Sequence, residues 1–195
     1  MTGSSPAKST ERIVTTSNIP PLESFGHRIM ICGPSNSGKS TLAAALGRKL
    51  GIGVVHLDLL RHLPNTNWVQ RSDEEFARLH DEAVDGDGWA MDGNYSKLMP
   101  GRRKRATGII LLSDNRWANM YRYFRRTLFE RDRIGALAGN KDSIKLDMIR
   151  WVWIGEARNV ARYRTDLPKP GIPFLHVRGM RELNALYRAW GLTRG

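Results

Sequence analysis

Short apolar runs alternate along this chain with longer segments of helical periodicity. Strands are expected at His27–Cys32, Val54–Leu57, Trp89–Met91, Ile109–Leu112 and Pro173–Val177. Thr41 to Leu50 is helix-forming and is ended by Gly51 and Gly53. Ser72-Asp73-Glu74-Glu75 has the Ser-x-x-Glu form of a capping box, and Phe76, Leu79, Ala83 and Val84 follow at helical spacing up to Gly86. Asp73 and Glu74 favour the dipole of that helix and read as structural, and His80 reads as a helix-face histidine. Trp117, Tyr121, Phe124 and Leu128 recur at three- and four-residue spacing as one apolar helix face, with Arg122, Arg125 and Arg126 off it. Ile149, Val152, Trp153 and Val160 mark another helix, and Glu182 to Trp190 forms a last one. Strand alternating with helix predicts a parallel α/β sheet. Residues 1–25 are polar, carry Pro20-Pro21 and are expected to form a flexible N-terminal arm ahead of one domain at 26–195.

Between the first strand and the first helix stands Gly33-Pro34-Ser35-Asn36-Ser37-Gly38-Lys39-Ser40, which is G-x-x-x-x-G-K-S followed by Thr41. A loop can wrap a triphosphate closely only where side chains are absent, which Gly33 and Gly38 permit. Backbone N–H groups and the positive end of the following helix then face the anion. Lys39 is expected to reach the β- and γ-phosphates, and the Ser40 hydroxyl to coordinate Mg²⁺. The motif predicts that the chain handles a nucleoside triphosphate.

Composition bounds the remainder. The 195 residues suit one domain, able to bury roughly 70% of the surface its unfolded chain would expose. The single cysteine, Cys32, lies in the first strand, so no disulfide framework exists and a reducing cytoplasm is the expected compartment. No run approaches the roughly 18 apolar residues of a membrane span. The formal charge of +12 has two readings: arginines that hold small phosphates together with solvated faces, or a polynucleotide surface. The basic residues concentrate at Arg102-Arg103-Lys104-Arg105, Arg122 to Arg133 and Arg150 to Arg164, all after the phosphate loop. That distribution favours the first reading and keeps nucleic acid as the second.

Two carboxylates fall at the ends of expected strands, the side on which parallel sheets bind ligands. Asp58 is a candidate substrate or Mg²⁺ contact, with a plain turn residue as the alternative; in a kinase it would orient or deprotonate an acceptor hydroxyl, or only position an acceptor that is itself a phosphate. Asp92, in Asp92-Gly93-Asn94-Tyr95, is the choice for holding Mg²⁺, against a simple Asp-Gly turn, and Gly93 would allow close approach to phosphate. Residues 126–160, two arginine-bearing helices around a Gly-containing link, look like a lid able to close over phosphates. Trp151 and Trp153 read as core rather than a base-stacking platform.

In this order, the phosphate loop, Asp58, Asp92-Gly93-Asn94-Tyr95-Ser96, Arg102 and an arginine-rich lid resemble the nucleoside monophosphate kinase-like branch of P-loop proteins. More narrowly, His56-Leu57-Asp58, Trp68, Asp92-Gly93-Asn94-Tyr95-Ser96, Arg102 and the Arg126 region resemble the bacterial family labelled adenylate kinase-like or DNA topology modulation protein. It implies a three-layer sandwich around a five-stranded parallel sheet in the order 2-3-1-4-5, with helices on both faces. It implies ATP on the phosphate loop, Asp92 at the magnesium site, and an acceptor near Asp58, Gly93, Asn94, Tyr95 and Arg102. It further implies adenine at Gly179-Met180, and Arg126, Arg133 and Arg158 as lid arginines that stabilise transferring charge. The chain departs from that family in carrying Ser113 and Asn115 where an aspartate and a proline are usual.

The expected activity is transfer of the γ-phosphoryl group of Mg-ATP to a small acceptor, with a nucleotide or nucleoside as candidates. The alternative is a nucleotide-regulated nucleic-acid-binding ATPase. Against it, no hydrophobic strand ends in Asp-Glu, the arrangement that sets a glutamate beside attacking water in many motor ATPases.

Overall fold

Ile29, Met30, Ile31 and Cys32 are all fully buried in a computed structural model that describes residues 19–66, 68–115, 117, 120–121 and 156–194. A strand with both faces covered is the mark of a parallel sheet lying between helical layers. This strand, β1 (Arg28–Cys32), is central. With β2 (Gly53–His56), β3 (Trp89–Asp92), β4 (Gly108–Ser113) and β5 (Phe174–Arg178) it forms one sheet in the order β2-β3-β1-β4-β5, every pairing parallel. The expected fold class is the observed one. Helices α1 (Lys39–Leu50), α2 (Leu57–Arg61), α3 (Asp73–Asp85), α4 (Met99–Arg105), α5 (Glu156–Asp166) and α6 (Gly179–Ala189) connect and cover it.

Alternate residues of β1 point to opposite faces. Ile29 and Ile31 meet Leu42 and Leu46 of α1 and Leu183 and Leu186 of α6 in one apolar cluster. Met30 and Cys32 join Leu57, Val84, Tyr163 and Leu167 in the other. Burial among these apolar groups pushes the Cys32 thiol up to about 11, so it stays a protonated, small apolar side chain.

The first helix of the fold starts earlier than the domain boundary expected at residue 26. Leu22–Phe25 form a 3₁₀ turn whose Leu22 and Phe25 are buried in the α1/α6 cluster. Phe25 meets Trp190 edge to face at 5.2 Å, and the Trp190 indole donates to the Pro20 carbonyl at 2.8 Å. Burying two such side chains is worth about 1.5–3 kcal/mol each, which a free arm would forgo.

Two local expectations are corrected, and one helix is added. β2 ends at His56, and Leu57 opens the short helix α2, so Asp58 stands in a helix first turn rather than at a strand end. The basic run at 102–105 is helical, because Pro100 falls in the first turn of α4, where its missing N–H costs nothing. Trp117 and Tyr121 are 69% and 68% exposed while Met120 is buried, so the inward face here is not the expected stripe. Phe124 and Leu128, Trp151 and Trp153, and all of the expected lid except 156–160 lie outside the described residues. The Ser72 cap is present, its Oγ accepting from Glu75 N at 3.1 Å. Among the described residues no helix is long and apolar enough to cross a membrane.

Candidate active site

The parallel sheet delivers the C-terminal ends of β1, β2 and β3 to one edge, where three loops meet. The loop after β1 is the glycine-rich one. Gly33 has φ +146°, and a Cβ there would stand 2.4 Å from the Leu112 carbonyl oxygen, so only glycine lets the loop leave β1 against β4. Asn36 also takes a left-handed φ of 62°. Gly38, left-handed too, is the N-cap of α1 and lies against Leu183 of α6. The Pro34 carbonyl accepts from Ser37 N and from Lys39 Nζ, the latter at 2.7 Å, so the ammonium lies folded across its own loop. Ser37 is buried with its Oγ unpartnered among the described residues, Ser35 and Asn36 are half-buried, and Thr41 follows in the first turn of α1.

Ser40 Oγ donates to Asp92 Oδ2 at 2.6 Å. The other oxygen, Asp92 Oδ1, lies 2.5 Å from His56 Nδ1, whose strand register sets His56 opposite Asp92. Since a carboxylate only accepts, His56 Nδ1 carries the proton. The expected metal residues Ser40 and Asp92 are therefore brought together, from positions 52 residues apart. A hydroxyl beside a carboxylate is a hard-oxygen pair suited to Mg²⁺, which takes few protein ligands and completes its shell with phosphate and water. In keeping with that, no group of three or more His, Cys, Asp or Glu among the described residues could hold a metal alone. His56 enters the sequence reading only as part of the His56-Leu57-Asp58 run, with no role assigned; the β2–β3 register supplies one.

The loop after β3 is tied to the glycine-rich loop. Asn94 Oδ1 accepts from Gly33 N at 3.1 Å and its Nδ2 donates to Gly33 O at 2.9 Å. The side chain expected to meet an acceptor is thus spent on the phosphate loop. Arg102 is corrected likewise. It is fully buried, and its guanidinium donates to the carbonyls of Gly93 at 2.9 Å, Asn94 at 2.6 Å and Tyr95 at 3.4 Å. Burial lowers its pKa from the ordinary arginine value, with nearby Cys32 and Tyr163 opposing. It faces the loop, not an acceptor. Gly93 cannot admit a phosphate where its Cβ would be, because Leu57 Cβ stands 2.9 Å from that point.

Tyr95 and Asp58 are brought together: Tyr95 Oη donates to Asp58 Oδ1 at 2.7 Å. Burial, followed by the Asp58 charge and this hydrogen bond, pushes the phenol well above its usual range. Its ring meets Phe76 edge to face at 4.9 Å, and its backbone is held at φ +29°. Gly179 and Met180 form the first turn of α6, with Gly179 beside Asp114 and Met180 partly exposed. Arg158 is exposed on α5, and Arg126 and Arg133 lie outside the described residues.

No protein-family model matches the chain, and neither does any curated protein. Among solved structures, a gluconokinase from Sinorhizobium meliloti 1021 superposes with a TM-score of 0.54 at 12% identity, over 86% of this chain and 91% of that one. A sugar kinase from Janibacter sp. HTCC2649 gives a TM-score of 0.47 at 14% identity, over 84% of this chain and 91% of that one. At such identities the likeness is one of fold: an α/β sheet in the 2-3-1-4-5 order, as in P-loop kinases.

Proposed function

We propose that this chain is an ATP-dependent kinase that transfers a phosphoryl group to a small molecule. The observation that carries the reading is the Ser40–Asp92 pair, a hydroxyl and a carboxylate 2.6 Å apart at the mouth of a glycine-rich phosphate loop. In this reading backbone N–H groups of the loop between Ser35 and Thr41 cradle the phosphates, and Lys39 swings from the Pro34 carbonyl to the β- and γ-phosphates. Ser40 and Asp92 hold Mg²⁺, which when bound neutralises charge on those phosphates. The first turn of α6, at Gly179-Met180, borders the adenine. Arg158, with Arg126 and Arg133, steadies charge on the moving group. Catalysis of this kind is mostly positioning and charge stabilisation.

The net charge of +12 keeps a polynucleotide-binding reading second. Several of the described arginines hold backbone carbonyls at the surface: Arg28 that of Arg105, Arg105 that of Asp85, Arg48 that of Thr193 and Arg103 that of Pro168. Such arginines tie helix ends and loops together, which explains part of the basic excess without a nucleic acid.

The test is calorimetric binding of Mg-ATP together with ADP release against small molecules and DNA, run beside Lys39→Ala and Asp92→Asn. Tight nucleotide binding, acceptor-dependent release and loss of release in both variants are expected. Failure of the wild-type chain to bind Mg-ATP, or stimulation by DNA alone, would sink the kinase reading.

A further inference from the structure

The acceptor side of the site has an unusual charge economy. It is bounded by α2, the start of α3 and the loop after β3, and it contains arginines that could have gripped a phosphate. Each is already engaged. Arg61 pairs with Asp73 at 2.8 Å and donates to Gln70 at 2.8 Å. Arg71 pairs with Glu75 at 3.1 Å and donates to the carbonyls of Leu59, Leu60 and His62. Arg102 is sealed beneath the β3 loop on three further carbonyls. The contacts of Arg71 and Arg102 hold the local backbone, so redirecting either to a ligand would leave buried or half-buried carbonyls unpaired, while Arg61 is held by a surface carboxylate and an amide.

Beside the exposed Lys97, which pairs with Asp73 at 3.3 Å, this side presents a carboxylate to solvent. Asp58 is exposed, one oxygen is fixed by Tyr95 Oη, and Oδ2 makes no hydrogen bond among the described residues. It is positioned rather than loose. His62 Nδ1 lies 3.0 Å from the Asp58 carbonyl, and Tyr95 is clamped by Phe76 and by Arg102 on its own carbonyl. Tyr95 also holds a φ of +29°, a strained value for a residue with a side chain, and such strain gathers where a group must be aimed. The aimed carboxylate stands two residues beyond His56, whose ring touches the Asp92 carboxylate at the metal site. A phosphate nucleophile arriving there would meet like charge, whereas a hydroxyl would find an acceptor for its proton.

We infer that the group phosphorylated is a hydroxyl of an unphosphorylated small molecule, docked at the Asp58–Tyr95 pair, with Asp58 as the base that takes its proton. The inference rests on the kinase reading and narrows it. The hydroxyl oxygen forms a bond to the γ-phosphorus, and the bond from that phosphorus to the bridging oxygen of ADP breaks. The electron pair leaves on ADP, and the hydroxyl proton passes to Asp58 Oδ2. Tyr95 is a positioning residue that keeps Oδ2 turned outward. Nucleoside monophosphates, which accept through a phosphate oxygen, are excluded as the reacting class.

The experiment compares the wild-type chain with Asp58→Asn, which preserves shape and the acceptor for Tyr95 but not the base. Mg-ATP affinity is measured by calorimetry, and ADP release is measured against polyols, aldoses and nucleosides on one side and nucleoside monophosphates on the other. The expected result is stimulation by a hydroxyl compound and none by monophosphates. Asp58→Asn should then lower kcat by about 100-fold or more, with KM and Mg-ATP affinity changed less than about threefold. Stimulation by a monophosphate, or an unchanged kcat in Asp58→Asn, overturns the inference while leaving a kinase in place. If no compound stimulates, basal hydrolysis decides, since water enters as the smallest hydroxyl: a tenfold or greater drop in Asp58→Asn supports the base, and no drop overturns it. Loss of Mg-ATP binding in the wild-type chain would instead strike the kinase reading itself.

Discussion

Asn94 closes both backbone hydrogen-bonding groups of Gly33 with one side-chain amide, accepting from its N–H at 3.1 Å and donating to its carbonyl at 2.9 Å across 61 residues of sequence. The amide acts as a missing strand, pinning the first residue of the phosphate loop to the loop after β3. It also explains how a glycine with φ +146° stays fixed. Whatever moves the β3 loop moves the phosphate cradle.

Asn94→Ala is therefore expected to weaken Mg-ATP binding by about tenfold, roughly 1.4 kcal/mol, with a smaller loss of global stability. Asn94→Asp should be worse for nucleotide than alanine, because it removes the donor to Gly33 O and adds a negative charge beside the phosphates. Calorimetric titration of both variants checks the order.

Gly33→Ala tests the close approach of β1's end to β4. A Cβ 2.4 Å from the Leu112 oxygen cannot be accommodated by rotating a side chain, since the obstacle is backbone. Destabilisation of about 2–4 kcal/mol is expected, read as a fall in the urea midpoint. A variant as stable as the wild type would show that β4 yields there.

Arg102 is placed to test the opposite kind of burial. Arg102→Met removes the donor from three carbonyls beneath the β3 loop and should cost about 3 kcal/mol or more. Arg102→Lys should recover little, since an ammonium cannot match the fork that spans them. Thermal unfolding of both variants, with and without Mg-ATP, measures the cost and whether the loop's order is what the nucleotide feels.

His80 provides a pH signature. It is 1% exposed, its Nε2 is unpartnered among the described residues, and burial lowers its pKa from the ordinary 6.5. Between the lowered folded value and 6.5 the unfolded chain binds the extra proton, so stability is full above 6.5 and falls as pH drops below it. The slope attributable to this ring is at most about 1.4 kcal/mol per pH unit. His80→Leu should flatten that part of the profile in chemical denaturation between pH 7.5 and 5; an unchanged profile would remove His80 from the account.

The elements that sequence reasoning found were those with strong local signals. β1 and β4 are unbroken apolar runs, Ser72 and Glu75 stand at capping distance, and the phosphate loop is a contiguous motif. What it missed was decided by tertiary approach. Asn94 and Arg102 stand near the acceptor only in what the family resemblance implies, and in the structure Gly33 and the three loop carbonyls claim them. His56 gained a role only through its register opposite Asp92. α4 carries no apolar periodicity that would mark it, and its Pro100 stands in the first helical turn, where proline is well tolerated.

The 3₁₀ turn at Leu22–Phe25 binds the beginning of the described fold to its end. Pro20 receives the Trp190 indole, Phe25 lies against its ring, and Ile19 packs on the cluster that contains Leu192. Neighbouring ends of this kind make the chain a candidate for circular permutation: a short linker from residue 194 to residue 19 would preserve the Trp190 contacts while new ends are opened in an exposed turn. The phosphate loop would then sit mid-chain, far from either end, and nucleotide binding by the permutant would measure how little of the site depends on where the polypeptide starts.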